Sequence, residues 1–171
     1  MNKKYPWKQA IITGITVGVV AIVTFSLSKQ AHLNINASTL RGLTGLLTLV
    51  ILGIGIYVGM RSIKTANGGK LTYGQAMFTG FIIALVTGII TALVSVIYCS
   101  LIDPGYSTYM VAETQKAMLA SGKSQAEITT GTPALLQQWS TGGQAIQALI
   151  GQTVCGTVIA LVMGIFIKTK K

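Results

Sequence analysis

The side chains best able to do chemistry in this sequence are amides and hydroxyls that fall inside long apolar stretches. Thr87 and Thr91 lie four residues apart in one stretch, and Gln147 and Gln152 lie in another. In lipid, such groups can join helices through hydrogen bonds of about 0.6–2 kcal/mol each. They can also line a polar path for a small solute that is open to the outside. Helix packing is the favoured role, and the polar path is the alternative.

Groups that usually mark catalysis or ion transport are scarce. The chain has 3 acidic residues, 1 His and 2 Cys, and no charged residue falls in the middle of an apolar stretch. Proton-coupled transporters usually carry an ionisable residue at that depth, and metal sites need clustered ligands. His32 is expected to be a solvated loop residue, and Cys99 and Cys155 are expected at different depths without a disulfide. We therefore expect no enzymatic activity, no cofactor and no metal.

The composition indicates a membrane protein. Charged residues make up 9% of the chain, the hydrophobic fraction is 51%, and the mean hydropathy is +0.65. A soluble domain carries about 25% charged residues, and it needs them to cover its surface. The sequence therefore predicts one all-α integral membrane domain over residues 1–171.

Four uncharged stretches are long enough to cross a bilayer, which takes about 20 apolar residues. They predict transmembrane helices over about residues 8–28, 41–62, 73–102 and 143–167. Residues 103–142 are expected to form an extracytoplasmic loop with two or three short helices. Within that loop, Thr132 and Pro133 are expected to begin a helical turn, and Gly142 and Gly143 to interrupt the chain before the last span.

Several helix ends carry capping signals. Pro6 suits the first turn of the first span, and Ser38 or Thr39 can cap the second. Thr72 and Gln75 have the spacing of a capping box that would begin the third span.

The turns around the third span are marked as well. Gly68 and Gly69 are expected to stop the second span. Asp103 and Pro104 are expected to end the third span, because a residue before proline is pushed out of the helical region. The same pair suits the cap of the following loop helix.

Basic residues are unequally divided between the two ends of the predicted spans. One end carries nine of them and no acid: Lys3, Lys4, Lys8, Arg61, Lys64, Lys70, Lys168, Lys170 and Lys171. The other end carries four, with all three acids: Lys29, Arg41, Lys116 and Lys123, beside Asp103, Glu113 and Glu127. The positive-inside rule places both termini in the cytoplasm. Topology explains the net charge of +10 better than nucleic-acid binding, because these residues flank spans and form no binding motif.

Aromatic residues are expected at the depth of the lipid head groups. Those assigned to the outer side are Tyr98, Tyr106, Tyr109 and Trp139.

Small residues recur at every fourth position in two of the spans. They are Gly80, Ala84, Gly88 and Ala92 in the third span, and Gly156, Ala160 and Gly164 in the fourth. Such a row lets another backbone approach closely. It predicts that these two spans pack together, with a self-association face as the alternative.

Two segments resemble a bacterial family of small four-helix membrane proteins of unknown function. The segments are NGGKLTYGQAMFTGF at 67–81 and SLIDPGY at 100–106. The residues that carry the resemblance are Gly68, Gly69, Gly74, Gln75, Asp103 and Pro104. The resemblance implies an inner-membrane location and the four-span topology, and it implies no activity.

The sequence as a whole predicts a non-enzymatic accessory or assembly subunit of the bacterial inner membrane. Its partners would be the lipid bilayer and either a second copy or another membrane protein, with no nucleic acid. The alternative is an oligomeric channel or facilitator for a small uncharged or amphiphilic solute. A membrane-embedded enzyme acting on lipid is the least favoured reading.

Overall fold

The computed structural model describes residues 5–29 and 37–169. Six α-helices account for most of these residues. They are α1 (Trp7–Ser28), α2 (Ala37–Ala66), α3 (Tyr73–Ile97), α4 (Tyr106–Ala120), α5 (Gln125–Trp139) and α6 (Thr141–Ile167). A π-helical segment, Tyr98–Ile102, extends α3. No strand occurs among the described residues, so the predicted all-α class is confirmed. The predictions for Lys3, Lys4, His32, Lys170 and Lys171 lie outside the described residues.

Within the described ranges, four helices are long and apolar enough to cross a membrane. They cover Trp7–Ser28, Thr39–Ala66, Tyr73–Ile102 and Thr141–Ile167, with a mean hydropathy between 2.1 and 2.6. The predicted number of spans is confirmed, and the protein is a multi-pass membrane protein by this measure. The prediction for the start of α2 was wrong, because α2 begins at Ala37 and so includes Ser38 and Thr39 in its first turn.

The turn between α2 and α3 follows the local signals of the sequence. Gly68 and Gly69 have φ of +64° and +83°, the left-handed region that favours glycine. The Gly69 N–H donates to the Lys64 carbonyl at 2.9 Å, which closes the end of α2. The predicted capping box is present: Thr72 Oγ1 accepts from the Gln75 N–H, and Gln75 Oε1 accepts from the Thr72 N–H. We call this end of the helix bundle the turn end.

The opposite end, which we call the hairpin end, carries the antiparallel helices α4 and α5. Gly122, with φ of +86°, joins the two helices, and Ser124 and Glu127 form a capping box at the start of α5. Pro133 lies inside α5, so the prediction that it begins a separate helical turn was wrong. The break before α6 falls at Ser140, whose Oγ accepts from the Gly143 N–H at 3.0 Å. Gly142 and Gly143 therefore belong to the first turn of α6 and do not interrupt the chain before it.

Asp103 has a different role from the capping role that the sequence predicts. Both of its carboxylate oxygens accept hydrogen bonds from Lys29 Nζ, at 2.9 and 2.8 Å. The N-cap position of α4 is taken by Gly105, which has no side chain to form a capping bond. The prediction was wrong because the ion pair to the end of α1 engages the carboxylate.

Helices α3 and α6 pack antiparallel along most of their length through small residues. A Cβ added at Gly80 would overlap the Cβ of Ala160, and one added at Gly156 would overlap that of Ala84. Toward the hairpin end, a Cβ at Gly88 would lie 2.9 Å from the carbonyl oxygen of Leu149. At the turn end, Gly164 faces the ring of Tyr73. Ala92, the last member of the row on α3, is half-buried.

Helix α2 packs tightly only in its turn-end half. Leu52, Ile56 and Met60 are completely buried there, and Gly55 and Gly59 are in tight contact with neighbouring side chains of α1 and α3. Farther toward the hairpin end, the space around the glycines of α2 is open. This divergence of α2 from the other helices makes room for the candidate site.

Candidate functional site: a polar cavity among the long helices

A cavity of about 250 Å³ lies among α1, α2, α3 and α6 in the hairpin-end half of the bundle. One cation, Arg41, and three amide side chains, those of Gln144, Gln147 and Gln152, line it together with several Thr and Ser hydroxyls. Polar linings of this kind are costly inside a membrane domain and usually mark a functional region. The cavity is therefore the candidate site.

The mouth of the cavity lies between α2 and α6. The lining residues Thr24 and Thr91, from α1 and α3, are buried, whereas Gly45 of α2 and Gln147 of α6 are exposed. No atom lies within 4 Å of a Cβ built at Gly45, so α2 leaves an opening there. The opening is on the side of the bundle, which would face lipid in a membrane.

Aromatic side chains close the cavity toward the hairpin end. The rings of Phe25, Tyr98 and Tyr106 pack with centroids 5.0–5.6 Å apart, and Trp139 is buried beside them. Tyr98, Tyr106 and Trp139 are buried in this cluster, and their depth near the head groups stays a prediction. Tyr109 is half-buried, and its hydroxyl donates to the Ser28 carbonyl at the end of α1.

Arg41 is held between this aromatic cluster and the cavity. Its Nη1 donates to the Tyr106 hydroxyl at 2.9 Å, and its guanidinium lies 4.5 Å from the centroid of the Trp139 ring. Burial raises the pKa of the Tyr106 hydroxyl above its ordinary value, in opposition to the nearby Arg41 charge. The phenol therefore stays neutral near pH 7 and can accept the bond from Arg41.

No carboxylate pairs with Arg41 among the described residues, which include all three acids of the chain. Asp103 pairs with Lys29, Glu113 pairs with Lys116, and Glu127 caps α5. The charge of Arg41 is thus balanced by no side chain of the described structure.

Two glutamine carbonyl oxygens at the cavity also lack hydrogen-bond partners within the described chain. Gln144 is 5% exposed, and its Nε2 donates to the Trp139 carbonyl at 2.9 Å and contacts Cys99 Sγ at 3.4 Å. Because Nε2 is engaged in this way, Gln144 Oε1 is the atom left without a donor. Gln152 Oε1 is likewise buried and unpartnered.

The family model described as "Protein of unknown function (DUF4199)" matches residues 8–169. The chain belongs to this family. The match confirms the family resemblance inferred from residues 67–81 and 100–106. No curated protein and no solved structure shows significant similarity to the chain. Membership of the DUF4199 family assigns no activity to the chain.

The structure separates the residues that carry the family resemblance into two places. Gly68, Gly69, Gly74 and Gln75 lie at the turn end, and Asp103 and Pro104 follow the π-helical segment at the hairpin end. None of the six is among the described residues that line the cavity. Their structural roles in this DUF4199 chain lie in turns, a capping box and the ion pair with Lys29.

Three of the four polar-path residues, Thr91, Gln147 and Gln152, line the cavity, whereas Thr87 is buried outside its lining. Thr91 Oγ1 donates to the Thr87 carbonyl of its own helix, and Gln147 Nε2 donates to the Gln138 carbonyl of α5. In the described structure, none of the four forms a hydrogen bond to another long helix. The geometry of Thr91, Gln147 and Gln152 fits a cavity lining better than interhelical bonding.

Two other residues expected from the sequence to be chemically quiet lie in contrasting places. Cys99 is buried and contacts Gln144, whereas Cys155 is exposed on α6, and both are free thiols.

Sequence reasoning missed Arg41, which was counted only as a charge beside a span. The available signal was an arginine close to the start of an apolar stretch in a chain with few acids to pair with it.

Proposed function

We propose that this protein is a non-enzymatic membrane protein that binds a small amphiphilic solute in the cavity and facilitates its movement. The observation that carries the proposal is a polar cavity whose mouth opens on the side of the bundle, between α2 and α6. A polar group of the solute would occupy the cavity, and its apolar part would extend into lipid. This corresponds to the facilitator alternative drawn from the sequence.

The shape of the cavity supports binding from the lipid over conduction of a water-soluble solute. Leu52, Ile56 and Met60 fill the turn-end half of the bundle, and the aromatic cluster lies across the other end. The described lining also contains no carboxylate, histidine or cysteine, which supports binding over catalysis. We therefore expect proteoliposomes to retain small hydrophilic solutes.

The test uses a neutral alkylglycerol that carries a photoreactive diazirine group, added to the reconstituted protein. We expect crosslinking to the hairpin-end halves of α2 and α6, and competition by unlabelled alkylglycerol. Gly45→Phe should reduce the labelling about tenfold, since the ring would fill the mouth while the side chain finds open space.

Gly42→Phe is the matched control. Gly42 also lies on α2 with open space around it, but it does not line the cavity. Labelling should be unchanged in this variant. Equal labelling of wild type and Gly45→Phe would contradict the proposal.

The proposed location is the bacterial inner membrane, with the turn end in the cytoplasm and the hairpin end outside. The described cations at the turn end support this orientation under the positive-inside rule. They are Lys8, Arg61, Lys64, Lys70 and Lys168.

Cysteine labelling tests the orientation. Lys70→Cys and Lys123→Cys, both at exposed positions, are made in a Cys155→Ala background and treated in intact cells with an impermeant maleimide. The cysteine at 123 should react at once, and the one at 70 only after the cells are lysed. The Cys155→Ala protein without a new cysteine measures the labelling that is due to Cys99. Labelling at 70 in intact cells, with labelling at 123 only after lysis, would overturn the orientation.

The accessory or assembly role stays a prediction. Leu119 on α4 and Leu136 on α5 are exposed outside the long helices, and they offer a surface for another membrane protein or a second copy. A stoichiometric partner that copurifies in mild detergent and is lost from the Leu136→Glu variant would support that role.

A further inference from the structure

We infer that the cavity recognises a phosphate-bearing head group that also carries a hydrogen-bond donor, with Arg41 as the phosphate ligand. The inference rests on the proposed function and names the class of amphiphile. The mouth of the cavity indicates a phospholipid as the source, taken from the leaflet at the hairpin end. Phosphatidylglycerol has the required chemistry.

The charge of Arg41 favours an anionic ligand. An arginine within a membrane domain normally pairs with an acid or reaches the interface, and no described carboxylate pairs with this one. It lies four residues after the start of α2, or about 6 Å along the helix axis at 1.5 Å per residue. Arg41 therefore lies near the hairpin end of this span, where a lipid phosphate could supply the missing negative charge.

The geometry of Arg41 suits a phosphate group. The Tyr106 hydroxyl takes one hydrogen bond at Nη1, and the Trp139 ring lies beside the guanidinium. These two contacts restrict the orientation of the guanidinium plane and leave other N–H groups free of described partners. A guanidinium with free N–H groups on one edge matches two phosphate oxygens.

Gln144 is the reason that the head group should carry a hydrogen-bond donor. Gln144 lines the cavity, and its Oε1 is buried and has no partner in the described chain. Gln144 and Arg41 both contact Trp139, one at its carbonyl and the other at its ring, so the two groups face the same end of the cavity. A carbonyl oxygen disfavours a bare anion but accepts a hydrogen bond from a hydroxyl or an ammonium group. Choline has no such donor, whereas the glycerol head group has hydroxyls.

The cavity has room for a small head group. Its volume of about 250 Å³ is several times the roughly 30 Å³ that one water occupies in the liquid. The acyl chains would leave through the mouth beside Gly45 and run along exposed apolar residues such as Leu46 and Ile150. The closed hairpin end favours this route over arrival of a soluble phosphate from water.

The experiment measures binding to the full chain in mild detergent by native mass spectrometry. Four probes are titrated separately: phosphatidylglycerol, phosphatidylcholine, diacylglycerol and water-soluble glycerol phosphate. We expect phosphatidylglycerol to bind at least about tenfold more tightly than each of the other three. Arg41→Gln should remove most of this preference, and Arg41→Lys, which keeps the charge without the planar guanidinium, should retain part of it.

Arg61→Gln is the matched control, because Arg61 also lies near an aromatic ring, that of Tyr57, but at the turn end. It should bind phosphatidylglycerol as the wild type does. If Arg41→Gln does not fold, the ranking of the four probes on the wild type and on Arg41→Lys decides the question.

The outcomes separate this inference from the function on which it rests. Equal binding of diacylglycerol and phosphatidylglycerol, both blocked by Gly45→Phe, would overturn the role of Arg41 and leave amphiphile binding standing. Glycerol phosphate binding as tightly as the lipid would overturn the lipid source. Lipid binding that is indifferent to Gly45→Phe would overturn both the inference and the proposed function.

Discussion

Replacement of Gly80 by leucine is expected to separate α3 from α6 and to cause the largest loss of stability of any single change considered. Even a Cβ at this position would overlap the Cβ of Ala160 and lie 3.3 Å from its Cα. Because a backbone atom blocks the way, the leucine can be accommodated only if the helices move apart. Overpacking of this kind costs about 3 kcal/mol, which corresponds to a fall of about 10 °C in Tm. Thermal unfolding in detergent, followed by circular dichroism, measures it.

Gly151→Leu provides the matched control for Gly80→Leu. Gly151 lies on α6, is exposed, and has no atom within 4 Å of a built Cβ. The same leucine there should leave Tm unchanged or raise it slightly, because leucine favours a helix more than glycine does. Similar melting temperatures for the two variants would show that α3 and α6 do not pack through Gly80.

Gly143→Ala is expected to be the second most damaging change, although it adds only one methyl group. A Cβ at Gly143 would overlap the carbonyl oxygen of Gln137 and lie 2.7 Å from that of Gln138. Both oxygens belong to the backbone of α5, so the clash moves the start of α6 and disturbs the cap that Ser140 provides. We expect the free energy of unfolding to fall by about 2 kcal/mol, and the backbone amides at positions 143 and 144 to exchange hydrogen faster.

The neighbouring residue controls for helix propensity. Gly142 lies in the same first turn of α6, and a Cβ built there meets no atom within 4 Å. Gly142→Ala should therefore be neutral or stabilising by up to about 1 kcal/mol. Equal stability of the two alanine variants would contradict the close approach of α5 and α6 at Gly143.

Features governed by neighbouring residues in the sequence could be predicted. The length of an uncharged stretch is enough to indicate a span. The Thr72–Gln75 capping box and the turn at Gly68 and Gly69 each depend on a few consecutive residues. The sequence alone therefore predicts these features correctly.

Features that depend on distant contacts could not be predicted with the same rules. Asp103 has the residue type of a cap, but Lys29, 74 positions away, engages its carboxylate. Thr132 and Pro133 suggest a helix start, yet α5 continues through Pro133. Because proline has no N–H, the Thr129 carbonyl one turn earlier loses its helical partner. Thr129 is exposed, so this carbonyl can bond to water instead. In both cases, more than one structure satisfies the local pattern.

The candidate site was only partly visible in the sequence. Gln147, Gln152 and Thr91 were recognised as polar groups within spans, but the choice between packing and a cavity depends on how far α2 diverges from its neighbours. Arg41 was assigned to topology because charge counting does not reveal whether a cation has a partner. Arg41 lacks an acidic partner because Asp103, Glu113 and Glu127 all engage other groups.

The uneven packing of α2 divides one continuous helix into a closely packed arm and a loosely packed arm. The arm from Leu52 onward is fixed by side chains that are fully buried, whereas the arm that contains Gly42 and Gly45 has open space beside its glycines. This second arm is nevertheless tied to the hairpin end by Arg41, which contacts Tyr106 and Trp139. The aperture of the cavity is therefore set by the same residue that carries the charge within it.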